Sequence, residues 1–366
     1  MLTVGVLYGG RSGEHDVSLC SAASVVSALD SEKYRVVAIG IDRDGRWYVQ
    51  DRPVIVDDPA FGRILKLERK GNWYVNHFEE SGRLVLRDID SNKKISVDLV
   101  FPAVHGTYCE DGTLQGLLEL AMVPYVGADS VGSSIGIDKD VTKRLLRDAG
   151  IPVVPWESFG REDWERDAAG IQTRIRERLS LPLFVKPART GSSVGVMKVK
   201  DGNDLRAAIE FAFQYDTRLL VEEGVNAREI ECSVLGNGDP RASVPGEIIP
   251  RHEFYSYESK YLDPNGAELV IPAPIDEPVA DAIRETAVRG YQALCCSGMA
   301  RVDFFLERTT GAFYLNEINT LPGFTSISMY PKLWAHSGLE YPRLIDTLID
   351  LALERHRARM KIRTDR

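Results

Sequence analysis

No apolar run in the 366 residues approaches the roughly 20 that a membrane-spanning helix needs. Positive charge is in short supply: 45 Lys and Arg stand against 54 Asp and Glu, for a net charge of −9. Nucleic acid and anionic lipid both need a positive footprint, so neither is an expected partner. The opening segment MLTVGVLYGG has no basic start and no long apolar stretch, so it reads as a first strand and not as a secretory signal. Cysteine is scarce. Cys20, Cys109, Cys232, Cys295 and Cys296 are odd in number and lack zinc-like pairing. Reduced thiols and a cytoplasmic location follow as expectations. H-E-x-x-H, the Walker loop and G-x-G-x-x-G are all missing. The last absence speaks against an NAD-dependent oxidoreductase. Internal repeats and low-complexity segments are missing too.

What is present is enough chain for about two or three domains. Leu2 to Leu7 is an apolar run that ends in Gly9-Gly10. Leu19, Ala22, Ala23, Val26 and Leu29 then share a helix face, with Asp16 or Ser18 as expected caps. Strand, glycine turn and helix open an α/β, Rossmann-like domain over 1–130. Val36 to Ile41 and Val97 to Phe101 are further buried strands. Between them, over about 42–95, short β-like pieces alternate with turn signals and read as inserted hairpins.

A glycine- and serine-rich boundary runs from Pro124 to Asp138. An α+β unit is expected over 131–217, with helices at Asp140 to Ala149 and around Trp164 to Leu179. Its strands are Pro182 to Lys186 and Val194 to Val199. The last unit, 218–366, is expected to open with strands Leu219 to Glu223 and Glu229 to Leu235. A polar, aromatic loop at about 251–264 follows, then a long helix that takes in Cys295-Cys296. Strands Ala300 to Leu306 and Ala312 to Ile318 precede a final helix with Leu344, Ile345, Leu348 and Leu351. The basic tail from Arg355 to Arg366 is expected to fray.

The sharpest chemical signal lies in the last strand pair. Alternation puts Arg301 and Asp303 on one face, and Glu317 and Asn319 likewise share a face. Paired strands would bring Asp303, Glu317 and Asn319 together as hard oxygen ligands for Mg²⁺. The alternative is a solvated face of paired charges, which fits poorly with the apolar flanks, so the metal reading is preferred. Lys186 at a strand end, followed by Arg189 to Gly195, could hold phosphate through an ammonium, backbone N–H groups and hydroxyls; an ordinary hairpin loop is the alternative. Gly9 to Asp16 sits where open α/β sheets bind ligands, although Glu14, His15 and Asp16 could simply cap a helix. Pro322 to Ser328 could present a glycine N–H to an oxyanion, or form a plain Pro-Gly turn. Tyr255, Tyr257, Lys260 and Tyr261 mark either a lid or packed surface tyrosines.

Together the segments GGRSGEHDVS, HG…EDGTLQG, DKDVTK, VKPARTGSSVG, EFYSYESKY, RVDFF and NEINTLPGFTSIS resemble the D-alanine–D-alanine ligase family of the ATP-grasp superfamily. They span Gly9 to Ser328 in the family's order. Cys109 departs from the family, which more often has glycine there. The resemblance implies an ATP-grasp fold preceded by the open α/β domain, and ATP bound between the central and C-terminal units. It implies that ATP phosphorylates one D-alanine carboxylate, and that the amine of a second D-alanine displaces the phosphate.

By the same resemblance, Lys139, Lys186 and Lys260 hold ATP phosphates, with Ser192 and Ser193 in the covering loop. Glu222 and Glu229 contact adenine and ribose, beside Glu223, Val225, Phe304 and Asn316. Glu14 holds the first ammonium and is linked to the lid through Ser192 and Tyr261. His105 lines the first-substrate side. Arg301 and the Gly323 N–H stabilise the oxyanion, and Ser328 takes the second carboxylate. Asp303, Glu317 and Asn319 hold two Mg²⁺ ions, for which Mn²⁺ can substitute; a monovalent cation such as K⁺ and a homodimer are also implied. Relatives that use D-lactate lack the lid tyrosine, so Tyr261 implies an amine as second substrate. Another carboxylate–amine ligase, or a D-alanine–D-hydroxy acid ligase, is the alternative.

Overall fold

A computed structural model describes residues 1–76, 82–251 and 266–363. The chain opens with strand β1 (Leu2–Gly9), helix α1 (His15–Ala28), β2 (Tyr34–Ile41) and β3 (Trp47–Gln50). Hairpin strands β4 (Ile55–Asp58) and β5 (Gly62–Leu65) follow, then β6 (Trp73–Val75), β7 (Leu84–Asp88), β8 (Lys94–Val97) and β9 (Leu99–Pro102). The first sheet runs β3-β2-β1-β9, with β1 parallel to both β2 and β9. Val4, Val6, Leu7 and Tyr8 are buried, as a parallel strand covered on both faces requires. The hairpins form a two-stranded and a three-stranded sheet, β4-β5 and β6-β7-β8.

The chain turns out of β1 through Gly9, at φ +85°, where an added Cβ would lie 2.2 Å from the Ile41 carbonyl oxygen. Only glycine fits there. The caps expected at Asp16 and Ser18 are not formed. Helix α1 begins at His15, with Glu14 at the N-cap position. Ser18 sits inside the helix, where its Oγ accepts Gly9 N–H at 2.7 Å and donates to the Ala103 carbonyl at 2.5 Å. It satisfies backbone groups beyond two strand ends, a demand that outweighs capping.

Helices α2 (Thr113–Leu120), α3 (Ser130–Ile137) and α4 (Lys139–Asp148) lead to the middle unit. It holds β10 (Trp156–Gly160), α5 (Arg161–Arg178), β11 (Leu183–Pro187), β12 (Met197–Val199), α6 (Leu205–Ala212) and β13 (Arg218–Glu223). The sheet order is β10-β13-β11-β12. Strand β13, read from sequence as the opening of the last unit, lies inside this middle sheet. It hydrogen-bonds to β10 on one side and β11 on the other. Strand β12 is also shorter than expected, because Ser192, Ser193 and Gly195 adopt positive φ and turn the chain.

The last sheet is built from β14 (Ala227–Gly236), β15 (Arg241–Ala242), β16 (Gly246–Pro250) and β17 (Ala267–Val270). Helix α7 (Glu277–Ala293), β18 (Gly298–Glu307), β19 (Phe313–Asn319), α8 (Met329–His336) and α9 (Tyr341–Arg359) complete the chain. The order is β17-β16-β14-β18-β19, with β15 pairing to β14. Cys295-Cys296, expected within the long helix, follow its end, and Cys295 turns the chain at φ 55°.

The expected frayed tail is instead helical and docked as far as Arg359. Leu344, Ile345, Leu348 and Ile349 of α9 share a core with Val4, Val6 and Phe101 of the first sheet. Arg355 donates to the carbonyls of Tyr125, at 2.8 Å, and Gly127, with its guanidinium over the Tyr125 ring. Arg359 pairs with Glu119 at 2.9 Å. Among the described residues, no helix is long and apolar enough to cross a membrane.

Candidate active site

Strands β18 and β19 pair so that Asp303 faces Glu317 and Arg301 faces Asn319. The register slips between Asp303 and Phe304, skipping Asn316. This irregularity lets Asn316, Glu317 and Asn319 all reach one cavity, while Leu315 and Ile318 stay buried. Arg301 donates to both Asp303 oxygens, at 2.8 and 2.7 Å. Its Nε also lies 3.1 Å from Glu231 Oε2. Burial disfavours the Arg301 charge, but Asp303 and Glu231 outweigh it and push the pKa still higher.

Asp303, Glu317 and Asn319 supply two carboxylates and an amide, a hard donor set suited to a divalent ion. Among the described residues, no three His, Cys, Asp or Glu side chains cluster as metal ligands, so the amide is needed to complete the set.

The opposite wall carries lysines. Lys139, at the start of α4, donates from Nζ to the Thr190 carbonyl at 2.6 Å. Burial lowers its pKa, against the opposing pull of Glu317. Lys186 on β11 donates to Glu222 Oε2 at 2.7 Å. Lys143, one helical turn beyond Lys139, lies 3.4 Å from Glu222 Oε1 and is fully buried. Burial tends to raise the Glu222 pKa, but Lys143 and Lys186 outweigh it and bring it down to about 2. From the cavity wall, the Glu222 carboxylate thus holds two ammonium groups.

The glycine-serine loop covers these lysines. Ser192 and Ser193 sit at φ 50° and 59°, a region costly for residues with a Cβ. The Ser192 hydroxyl donates to Glu14, which lies 178 residues earlier at the mouth of α1. His105 is buried beside them, with Nδ1 3.5 Å from Glu110 Oε1. Burial works to lower the His105 pKa, but Glu110 and Glu14 outweigh it and raise it. Burial also raises that of Glu110. Behind β19, Ser328 Oγ accepts Thr325 N–H at 2.9 Å. It lies 2.7 Å from where a Cβ on Gly323 would be, so a side chain there would force the Ser328 hydroxyl to shift.

These groups surround one cavity of about 720 Å³. Glu14, His105, Lys139, Lys186, Ser192, Ser193, Glu222, Glu223, Val225 and Glu229 line one side of it. Arg301, Asp303, Phe304, Asn316, Glu317, Asn319, Gly323 and Ser328 line the rest. Lys260 and Tyr261 lie outside the described residues. Glu110, Lys143 and Glu231 were missed by sequence reasoning. For Glu231 a signal was available, since it alternates with Glu229 on one face of β14.

Two family models match the chain: the D-ala D-ala ligase N-terminus over residues 3–128, and the D-ala D-ala ligase C-terminus over residues 145–350. The chain belongs to the D-alanine–D-alanine ligase family. It is 47% identical to the D-alanine–D-alanine ligase of Oceanobacillus iheyensis, over 99% of this chain and 98% of that one. Identity to D-alanine–D-alanine ligase A of Chromobacterium violaceum is 50%, over 97% and 96%. The solved D-alanine–D-alanine ligase of Coxiella burnetii superposes with a TM-score of 0.80 at 38% identity, covering 99% of this chain and 98% of that one. The VanG D-Ala:D-Ser ligase of Enterococcus faecalis also reaches 0.80, at 36% identity over 96% and 99%. The fold is therefore the expected ATP-grasp arrangement behind an open α/β domain. Backbone shape is shared even by a family relative named for a different second substrate.

Proposed function

We propose that this D-alanine–D-alanine ligase joins two D-alanine molecules with ATP, forming ADP, and so supplies a peptidoglycan precursor. The carrying observation is that groups from all three units meet at one cavity: Glu14 with Ser192, Lys139 with Lys186, and Asp303 with Glu317. Two anions, a carboxylate and a triphosphate, must be brought together there, and fixed cations are what permit it.

Lys139 and Lys186 hold ATP phosphates beneath the Ser192–Ser193 loop. Glu229 and Val225 border the nucleoside, with Glu223, Phe304 and Asn316. Glu222 acts mainly by fixing Lys186. Asp303, Glu317 and Asn319 would hold Mg²⁺, one or two ions, with Mn²⁺ as a substitute. The ion would neutralise phosphate charge as the γ-phosphoryl group moves. Glu14 takes the first D-alanine's ammonium, with His105 beside it. That substrate's carboxylate oxygen attacks the γ-phosphorus, the bond to the β-phosphate oxygen breaks, and an acyl phosphate and ADP result. The second D-alanine, its carboxylate on Ser328, attacks the acyl carbon through its neutral amine. Arg301 and the Gly323 N–H receive the negative charge that builds on the carbonyl oxygen, and phosphate then leaves. The lid roles of Lys260 and Tyr261, a monovalent cation such as K⁺, a homodimer and a cytoplasmic location belong to this reading through the family resemblance.

A coupled ADP assay tests it. ADP release is expected with D-alanine and not with L-alanine. D-Alanine-dependent release that requires D-lactate or D-serine as a second acceptor would instead support the hydroxy-acid or D-serine reading, which the VanG likeness motivates.

A further inference from the structure

The loop that carries Gly323 belongs to the last unit, yet it is held by the first. Phe324, which follows Gly323, is buried in the core shared with the first sheet. Its ring stands edge-on to Phe101 and Tyr330, with centroids 5.7 and 5.8 Å away. Tyr341 Oη donates to its carbonyl at 3.4 Å. Its N–H is donated across 303 residues of sequence, to Ser21 Oγ on α1 at 3.3 Å. Ser21 is fully buried, and its Oγ is also 2.9 Å from His105 Nε2. Glu110 stands at the far nitrogen of that ring.

The directions of these bonds follow from the donors available. A peptide N–H can only donate, so Ser21 Oγ accepts from Phe324. Its single proton is then free for His105 Nε2, when the neutral ring carries its own proton on Nδ1 toward Glu110. One hydroxyl thus joins a first-substrate wall to the peptide just after Gly323. Glycine has the widest backbone freedom of any residue, so the planes on either side of Gly323 must be fixed from outside.

We propose that Ser21 is a positioning residue. It sets the Gly323–Phe324 peptide against His105, so that the first-substrate pocket and the oxyanion donor are held as one unit. The inference rests on the reading of Gly323 as that donor.

The test is steady-state kinetics of Ser21→Ala and Ser21→Cys with D-alanine and ATP, below each variant's thermal transition. Alanine deletes the oxygen; cysteine keeps the bulk, but its sulfur is a weak acceptor. In both, kcat is expected to fall by about tenfold, as small misplacements of reacting groups do. KM for ATP is expected to stay within about twofold, because Ser21 does not line the cavity's phosphate wall. Parental kcat in either variant overturns the inference. So does a parallel loss of kcat and ATP affinity, which would mark a general structural role. Gly323→Ala, run alongside, tests the underlying reading separately. Alanine keeps the N–H but sets a Cβ against Ser328 Oγ, so parental kcat there would show that the reaction does not depend on how that N–H is placed, whatever Ser21 does.

Discussion

Lys143 Nζ lies 3.4 Å from Glu222 Oε1, and both side chains are almost fully shielded from water. The other Glu222 oxygen holds Lys186 at the cavity wall. A buried carboxylate is therefore shared between a fully buried ammonium and one that lines the cavity.

Lys143→Met leaves Glu222 buried with one fewer counter-charge. Removing one partner of a buried pair costs roughly 3 kcal/mol or more, because the remaining charge cannot rehydrate. Glu222 also draws Lys186 closer, so KM for ATP is expected to rise. Adding Glu222→Gln removes the stranded charge and should recover part of the stability. Urea unfolding of the two single variants and the double variant checks this; strictly additive losses would show that the two groups are not coupled.

The docked tail predicts an acid-sensitive contact. Burial tends to raise the Glu119 pKa, but Arg359, Ser130 N–H and Tyr125 Oη outweigh it and lower it from 4.5 to about 2. A carboxyl with a folded pKa below its unfolded value adds stability that is fully present above pH 4.5 and disappears as pH falls toward about 2. Glu119→Gln should lower the urea midpoint at pH 7 and flatten its dependence between those two values. An unchanged slope in the variant would remove Glu119 as the source.

Asp303→Asn and Glu317→Gln each withdraw one carboxylate from the paired strands. D-Alanine-dependent ADP release is expected to fall roughly 100-fold or more in each, the scale seen when a preorganised charge-stabilising group is lost. The Mg²⁺ concentration for half-maximal rate should shift upward as well. Loss of rate with unchanged Mg²⁺ dependence would place the ion elsewhere.

Glu231 is the second counter-ion of Arg301, 3.1 Å from its Nε. Glu231→Gln keeps the shape and removes the charge. Arg301 should then lean wholly on Asp303, and kcat is expected to drop about tenfold, or about 1.4 kcal/mol of transition-state stabilisation. The Mg²⁺ dependence should shift at the same time, since Asp303 is then held more tightly. Steady-state rates across a Mg²⁺ series separate this from a simple loss of stability.

Local pattern was enough for much of the molecule. The apolar run before Gly9-Gly10 read as the first strand of an open α/β domain, and the spacing of Asp303, Glu317 and Asn319 placed their carboxylates and amide on facing strands. Both are short-range properties: side-chain alternation and turn chemistry act over a few residues. The family's motifs were likewise legible as written, from Gly9 to Ser328. What stayed hidden depends on partners distant along the chain. Strand β13 looked like the start of a new unit until its neighbours, β10 and β11, were known. The basic tail looked frayed because its partners, Glu119 and Tyr125, lie more than 200 residues away. Lys143 and Ser21 have no local signature, since burial beside a charge or a peptide N–H is a property of packing. Residue order alone set the strands, turns and donor types; only the closing of the three units on one another decided which charges face which, because electrostatic and hydrogen-bond energies depend on distance in space and not on separation along the chain.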